Sequence, residues 1–483
     1  MNKTVQLITL ELLQLFRDRT FSGLMGLLLI LMVISAWNSS NHIAEKKKQN
    51  GVQQNLVEDA DKQLTAQIDS LNQGLASYED SYTLPTNGVR LTYNNHRIAT
   101  LPLKPFSLIA IGQSDLYSNY KKIVLYYNDS YDMDTKELES PIEQLFGQLD
   151  LAFVWVYLMP LIILLASFNI LSIERETGRL PLIASQPIKV WRWLAVKLGI
   201  RFLTIIFLLA LFTFPLLAIF EVPVWEHGTT FGKLLLILML YNGFWFLLSF
   251  LVNLLGYTSG KNLIILTSIW VLFVFLVPSA VNQIGKKLHP IPSRLEIINN
   301  HQEKYNEVEK NYDDELKGLY EIHKDWYSDD PVTKDMSNST GWNINYLAKQ
   351  YMAQLKHRPT AQAYENKVDS KNSWFGKCRS FSPAMVVNEA LTEMAGTSTK
   401  YYRSYLRQTT EYASVYRQYV FKGIFTNHAF TAAEIKNLPK FHFDTKRVDN
   451  AFLSDAYTLV IYITALLAIG IVLIKKRKIL NIR

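Results

Sequence analysis

Asp150 is followed by an unbroken apolar run, LAFVWVYLMPLIILLASFNIL, which ends in a dense cluster of charges, SIERETGRLPLIASQPIKVWRWLAVK, before a second apolar run begins. Each flank is long enough to cross a hydrocarbon core of roughly 30 Å at about 1.5 Å per residue. The charged elbow between them is too polar to lie in lipid and must face water. Further constraints of the same kind follow, because the hydropathy marks six spans in all: Phe21 to Trp37, Leu151 to Ile173, Val196 to Phe220, Leu234 to Gly256, Leu263 to Val281 and Tyr457 to Ile474. A bilayer offers no partners to backbone N–H and C=O groups, so such spans are helices or strands of a closed barrel. These long runs lack the two-residue alternation of a barrel strand, which leaves a helical bundle. The chain is 49% hydrophobic yet still 19% charged, so large water-exposed parts accompany the bundle. The expected fold class is mainly α, a polytopic membrane protein with six transmembrane helices, a mixed α/β first outer domain and a helical second one.

The net charge of +8 gathers beside the ends of the spans and not on one face that nucleic acid could use. Lys3, Arg17 and Arg19 precede the first span; Arg175, Arg179, Lys189, Arg192 and Lys197 fill the elbow; Lys261 follows the fourth span; and Lys475, Lys476, Arg477, Lys478 and Arg483 close the chain. If six spans alternate, all of these lie on one side, which the positive-inside rule makes cytoplasmic together with both termini. The opposite short loop carries Glu221 and Glu226 against Lys233. The leader, residues 1–20, is too long and too acidic at Glu11 and Asp18 for a secretory signal, so the first span, 21–37, reads as an uncleaved anchor. Within the leader, Val5, Ile8, Leu12, Leu15 and Phe16 recur at helical spacing, with Gln6, Glu11, Gln14 and Arg17 on the polar face. That pattern suits a helix lying in the inner interface.

Two insertions are too long for connecting loops, residues 38–149 and 282–455. The first begins with a helix-prone stretch, NLVEDADKQLTAQIDSLNQG, and from Tyr82 changes to short β-rich runs, RLTYNN, RIATLPLKPFSLIAIG and KKIVLYYND. The second reads as helical, with one amphipathic segment from Ile291 to Tyr327 and further helices near 343–375, 383–394 and 401–425 that should pack as antiparallel hairpins. Cys378 is the only cysteine, which excludes an intramolecular disulfide and any cysteine-based metal cluster. The nine histidines fall in the outer regions without ligand-type spacing, and they read as scattered surface residues with no metal site.

The spans hold almost no ionisable residues beyond Lys197 and Arg201 near one end. A proton- or ion-coupled carrier relies on intramembrane carboxylates or histidines, so that class is disfavoured. The polar and kink-forming positions in the bundle are Pro160, Asn169, Tyr241, Asn242 and Asn253, with Pro215 and Pro278 as further kinks. GYTSGKN, Gly256 to Asn262, superficially resembles a phosphate-binding loop, but it is one residue short, ends in Asn and follows no strand. No nucleophile–base motif or zinc-protease signature occurs, so no catalytic residue is assigned, and the energy source for any work must lie outside this chain.

With that requirement in place, FNILSIERETGRLPLIASQPIKVWRWLAVKLGIRF resembles the coupling region of type-2, exporter-type ABC permeases. FGQLDLAFVWVYLMPLIILLASFNI, LYNGFWFLLSFLVN, IWVLFVFLVPSAVNQIGKKLHPIPSR and SPAMVVNEALTEMAGTSTKYYRSYLRQ are similar to a branch of that family with two large extracytoplasmic insertions. The resemblance implies a bacterial inner-membrane permease subunit, with residues 174–195 as the cytoplasmic coupling segment. It implies a separate ATPase partner that binds ATP and Mg, a second permease copy or paralogue, and contact with membrane lipid. It leaves room for a periplasmic or outer-membrane protein partner. No cofactor is expected on this chain. On that basis Glu174, Arg175, Glu176 and Arg179 are expected to make polar contacts to the ATPase, with Leu180, Leu182 and Ile183 supplying apolar ones and Gly178 counted among the coupling residues. Three readings stay open: an exporter permease, a mechanotransmitting permease whose outer domains act on envelope assembly or metalloenzyme maturation, and a membrane scaffold that needs no ATPase.

Overall fold

A computed structural model describes residues 3–78, 83–93, 95–112, 114, 117–125, 149–185, 189–448 and 451–476. Helix accounts for 78% of the described residues, and six helices among them are long and apolar enough to cross a membrane: Arg19–Asn72, Leu151–Glu176, Val190–Ile219, Gly228–Leu254, Ser259–Leu288 and Phe452–Lys476. These are the six expected spans. The basic tail residues Arg477, Lys478 and Arg483, part of KKIVLYYND and residues 186–188 of the elbow lie outside the described residues.

The first span differs most from expectation. Asp18 caps its start by accepting from the amide of Thr20 at 2.9 Å, and the helix then runs for 54 residues without a break. At 1.5 Å per residue it is ~80 Å long, more than twice the apolar thickness of a bilayer. The span and the helix-prone stretch at the start of the first insertion are therefore one rod. Its buried face changes along the way from Phe21, Met25, Leu28 and Met32 to Leu64 and Ile68, which join a second core.

That second core serves both insertions. Among the described residues the β content is two antiparallel strands, Arg97–Thr100 and Tyr120–Ile123, in register Arg97↔Ile123. RLTYNN, expected as a strand, instead contributes to the short helix Val89–Tyr93, whose buried Val89 and Leu91 face helices of the second insertion. The tertiary environment overrides a weak local β preference here. The second insertion is helical, as Arg294–Lys310, Tyr312–Ile322, Ser339–Cys378, Pro383–Ala395 and Thr399–Phe425. The amphipathic segment is split at Asn311, and its first half packs along the 40-residue helix Ser339–Cys378. Within the first insertion Arg97 Nη1 and Nη2 bind Asp61 at 2.6 and 3.0 Å, and the guanidinium meets the second insertion by lying over Tyr416.

Two histidines depart from the surface reading. His301 and His357 are buried on facing helices with ring centroids 5.3 Å apart, and His357 Nδ1 lies 2.9 Å from Asn300 Oδ1. Burial lowers both imidazoles, and the neighbouring His357 helps hold His301 down to about 4. The unfolded chain therefore takes up protons that the folded chain refuses. Stability is complete above the ordinary histidine value and is lost as pH falls from about 7 toward 4, by about 2 kcal/mol. Thermal unfolding of the detergent-solubilised protein across this range checks it: His301→Gln should flatten the slope, and a wild-type melting point independent of pH between about 7 and 4 would contradict it.

In the bundle the second and fourth spans are the most enclosed, whereas the fifth and sixth leave most of their apolar surface free. Trp155, Tyr241, Phe244 and Trp245, all essentially inaccessible, fill the middle. The helix Pro383–Ala395 belongs to this core as well, burying Ala384, Val387, Ala390 and Leu391 against the end of the bundle opposite the elbow.

Candidate functional site

The elbow is built from two short helices, Ser172–Glu176 and Leu180–Ala184, hinged at Gly178 with φ +71°. The left-handed turn lets the amide of Arg179 reach back to the carbonyl of Glu174 at 2.8 Å, closing the first helix before Pro181 starts the second. Glu176 then reaches the next turn on the same side of the bundle. Its carboxylate accepts from the amide of Ser259 at 2.7 Å and from Ser259 Oγ at 2.9 Å. Ser259 opens the fifth span, where free N–H groups and the helix dipole favour an anion. Ser172 Oγ meets Ser259 Oγ at 2.8 Å, and Arg175 donates to the carbonyl of Gly256. Two turns some eighty residues apart in sequence are thereby fused.

A charge network anchors the elbow on its other flank. Glu174 pairs with Arg179 at 3.7 Å and with Lys197 at 3.9 Å. Lys197 also binds Glu11 at 3.3 Å, and Arg201 Nε binds the other Glu11 oxygen at 3.0 Å while the guanidinium donates to the carbonyl of Ala166. Glu11 has a side chain only 1% exposed, so the leader helix Lys3–Arg17 turns this carboxylate inward instead of presenting it on a polar face. Leu15 is buried beside it, while Leu13 and Phe16 are exposed.

Above the elbow the second span breaks between Ser167 and Ser172, and a buried polar cluster from other spans satisfies the break. Asn253 Nδ2 donates to the carbonyls of Ser167 at 3.0 Å and Ser249 at 2.9 Å, and its Oδ1 accepts from the amide of Leu171 at 3.1 Å. Ser249 Oγ donates to the Ser167 carbonyl at 3.1 Å, and Asn262 Nδ2 to that of Phe168 at 3.1 Å. Where lipid supplies no partner, side-chain amides are what allow a helix to break.

The expected contact residues thus divide in two. Glu174 points into the charge network, Arg175 and Glu176 are engaged with the neighbouring turn, Gly178 makes the hinge, and Leu180 and Ile183 are half-buried against the bundle. The outward tip is Arg179, with 61% of its side chain exposed, Pro181, and Leu182 at 68% exposed. Of the bundle positions, Asn253 is central to the break, Asn169 lies half-buried within it, and Asn242 Nδ2 donates to the Leu238 carbonyl of its own helix. Pro160 and Tyr241 act together farther along the span. The sequence reading missed Ser167 and Ser249, because small polar residues in apolar runs carry no positional signal, and it rejected GYTSGKN, which holds Ser259 and Asn262, as a phosphate-binding loop without giving these residues partners. It named Glu11 without a partner, since its partners lie some 190 residues away.

Among the described residues there is no group of three or more His, Cys, Asp or Glu side chains that could hold a metal ion. The family model for a domain of unknown function, DUF3526, matches residues 294–444, a little under a third of the chain and nearly all of the helical second insertion. No curated protein and no solved structure matches the chain.

Proposed function

We propose that this chain is the membrane-spanning permease subunit of an ABC transporter, driven by ATP and Mg bound to a separate ATPase subunit. The observation that carries the reading is the exposed elbow tip. The helix Leu180–Ala184 has no buried residue and presents Leu182 to water on a mount bonded to the leader helix and to the second, third and fifth spans. A large apolar side chain held rigidly at the polar end of a bundle suits a docking partner. Force applied there reaches several spans at once. The positive residues beside the elbow favour a cytoplasmic position for it and for both termini in a bacterial cell, with the two insertions outside the inner membrane. The free faces of the fifth and sixth spans suit lipid or a second copy or paralogue of the permease.

The test is co-purification. A Leu182→Glu substitution touches nothing inside the bundle and should leave melting unchanged while reducing recovery of a co-purifying ATPase at least about tenfold, for a loss of about 1.4 kcal/mol or more at a docking anchor. An ATPase retained at full stoichiometry removes the elbow from the contact. A wild-type protein that purifies with no ATPase favours a membrane scaffold.

One observation argues against a path through the interior of a single protomer and suits the mechanotransmitting form, while an export path between two permease copies is equally compatible with it. Trp155, Tyr241, Phe244 and Trp245 close the middle of the bundle, while the helix Pro383–Ala395 couples its outer end to both insertions. Work delivered to a periplasmic or outer-membrane partner then needs no path through the protomer.

A further inference from the structure

Two of the six spans share an irregularity whose parts touch one another. In the second span the amide of Met159 bonds the carbonyl of Val154, and in the fifth the amide of Val277 bonds that of Leu272. Both are five-residue steps in place of four, so Val154–Leu158 and Leu272–Leu276 are π-bulges. Each is followed at once by a proline at the second position, Pro160 and Pro278. A proline has no N–H, so the carbonyl four residues earlier, Val156 or Val274, loses its regular partner. The bulge itself releases another, because Phe273 would ordinarily accept from the amide of Val277.

Side chains from other elements take up two of the released carbonyls: Tyr241 Oη donates to Val156 at 2.7 Å and Ser382 Oγ to Phe273. Beside them, Trp270 Nε1 donates to the carbonyl of Tyr157, within the bulge of the second span, at 3.2 Å. Trp270 stands just before the bulge of the fifth span, so its bond joins one bulge to the other. The rings repeat the link: Phe275 lies 6.3 Å from Tyr157 and 5.2 Å from Trp270. Ser382, fully buried, is also the N-cap of Pro383–Ala395, and Tyr462 of the sixth span donates to the carbonyl of Ser380 beside it at 2.6 Å. At the other end of that helix the carbonyl of Glu393 accepts from Lys104 of the first insertion at 2.9 Å, and its carboxylate from Lys400 at 2.7 Å and from the amide of Ala451 at 3.2 Å.

We propose that the two π-bulges form a single joint within the membrane, and that Ser382 is the positioning residue that passes its movement to the outer helix Pro383–Ala395 and so to both insertions. A bulge can shift its hydrogen-bond register by one residue at small cost, whereas a regular helix must break bonds to bend. The bulged spans can therefore change angle while Tyr241 and Ser382 keep the carbonyls of Val156 and Phe273 satisfied. The second span begins this line at the elbow, since it ends at Glu176, and the outer helix ends it at Lys104. The joint is a property of this chain alone; its role in carrying ATP-driven movement rests on the permease reading above.

Amide exchange on the full-length protein in detergent tests the joint. Ser382→Ala removes one hydroxyl, and amides of residues 274–280 should exchange about tenfold faster while Ser382→Thr, which keeps a hydroxyl, stays closer to wild type. Trp270→Phe keeps an aromatic ring and removes the N–H, and it should accelerate residues 158–162 and 274–280 together. Unchanged exchange at 274–280 in Ser382→Ala, or an effect of Trp270→Phe confined to one bulge, overturns the joint. If Ser382→Ala unfolds the outer unit as a whole, the Trp270→Phe result decides alone. In the reconstituted complex, ATP should alter exchange at both bulges and at 384–396 in wild type, and in Ser382→Ala at the bulges only. Equal transmission in the variant overturns the assignment of Ser382. Absence of any ATPase removes the permease reading and leaves the exchange test of the joint intact.

Discussion

Glu11→Ala is expected to lower stability by about 3–5 kcal/mol, the range for removing one partner from a buried charge pair. The carboxylate is the common partner of Lys197 and Arg201, and with it gone two cations face each other in a site where Glu11 had been 1% exposed. Arg201 keeps the Ala166 carbonyl and Lys197 keeps the more distant Glu174, so the loss falls within the range and does not exceed it. The melting temperature of the solubilised protein measures the effect. Comparing Glu11→Leu, Arg201→Leu and the double variant then isolates the pair, because apolar replacement of both partners is commonly close to neutral. If the single and double variants melt alike, the network does not hold the leader helix. A leader freed of Glu11 should also become sensitive to protease near Arg17, since Glu11 joins Leu15 and Leu12 in packing the leader against the bundle.

The second large effect is expected at Asn253. Asn253→Leu removes two hydrogen bonds from the break in the second span and one within its own helix, and leaves the Leu171 amide and part of the demand of the Ser167 carbonyl unmet in a buried site. Each buried unsatisfied group costs about 1–3 kcal/mol, so a loss of about 2–4 kcal/mol follows after the gain in apolar packing is counted. Asn253→Asp separates the two functions of the amide: it retains an acceptor for Leu171 and loses the donor to Ser167. An Asn253→Asp variant as stable as wild type would show that the Ser167 carbonyl is sufficiently served by Ser249. Because the break sets the angle of the elbow, on the proposed permease reading Asn253→Leu should also weaken ATPase recovery in the co-purification test, by displacing the tip without altering its surface.

The two sites differ in how far they could be read beforehand. Asn253 stood out because an amide in an apolar span demands an explanation. Its partners did not, as nothing in the order of residues distinguishes Ser167 or Ser249 from any small helix-packing residue. Glu11 was misleading, since it fits the polar face of an amphipathic helix on periodicity alone. Only its proximity to Lys197 and Arg201 turns that face inward. The same holds for RLTYNN, where a β-prone stretch takes the helical form that lets Val89 and Leu91 reach the shared core.

Hydropathy by itself determined that six segments are helices that leave no alternative in lipid, because an apolar run of bilayer length has only one way to satisfy its backbone. The gathering of charge at their ends likewise marked the elbow as a water-facing feature. What the tertiary structure decided is which residues of the elbow face inward and which face out, that the first span continues as one rod into the unit built from both insertions, and that the bulges at Pro160 and Pro278 meet. Those outcomes depend on pairings between residues about 80 to 190 positions apart. Burial and hydrogen bonding between distant segments are set by three-dimensional packing, and no local pattern of residue types encodes them.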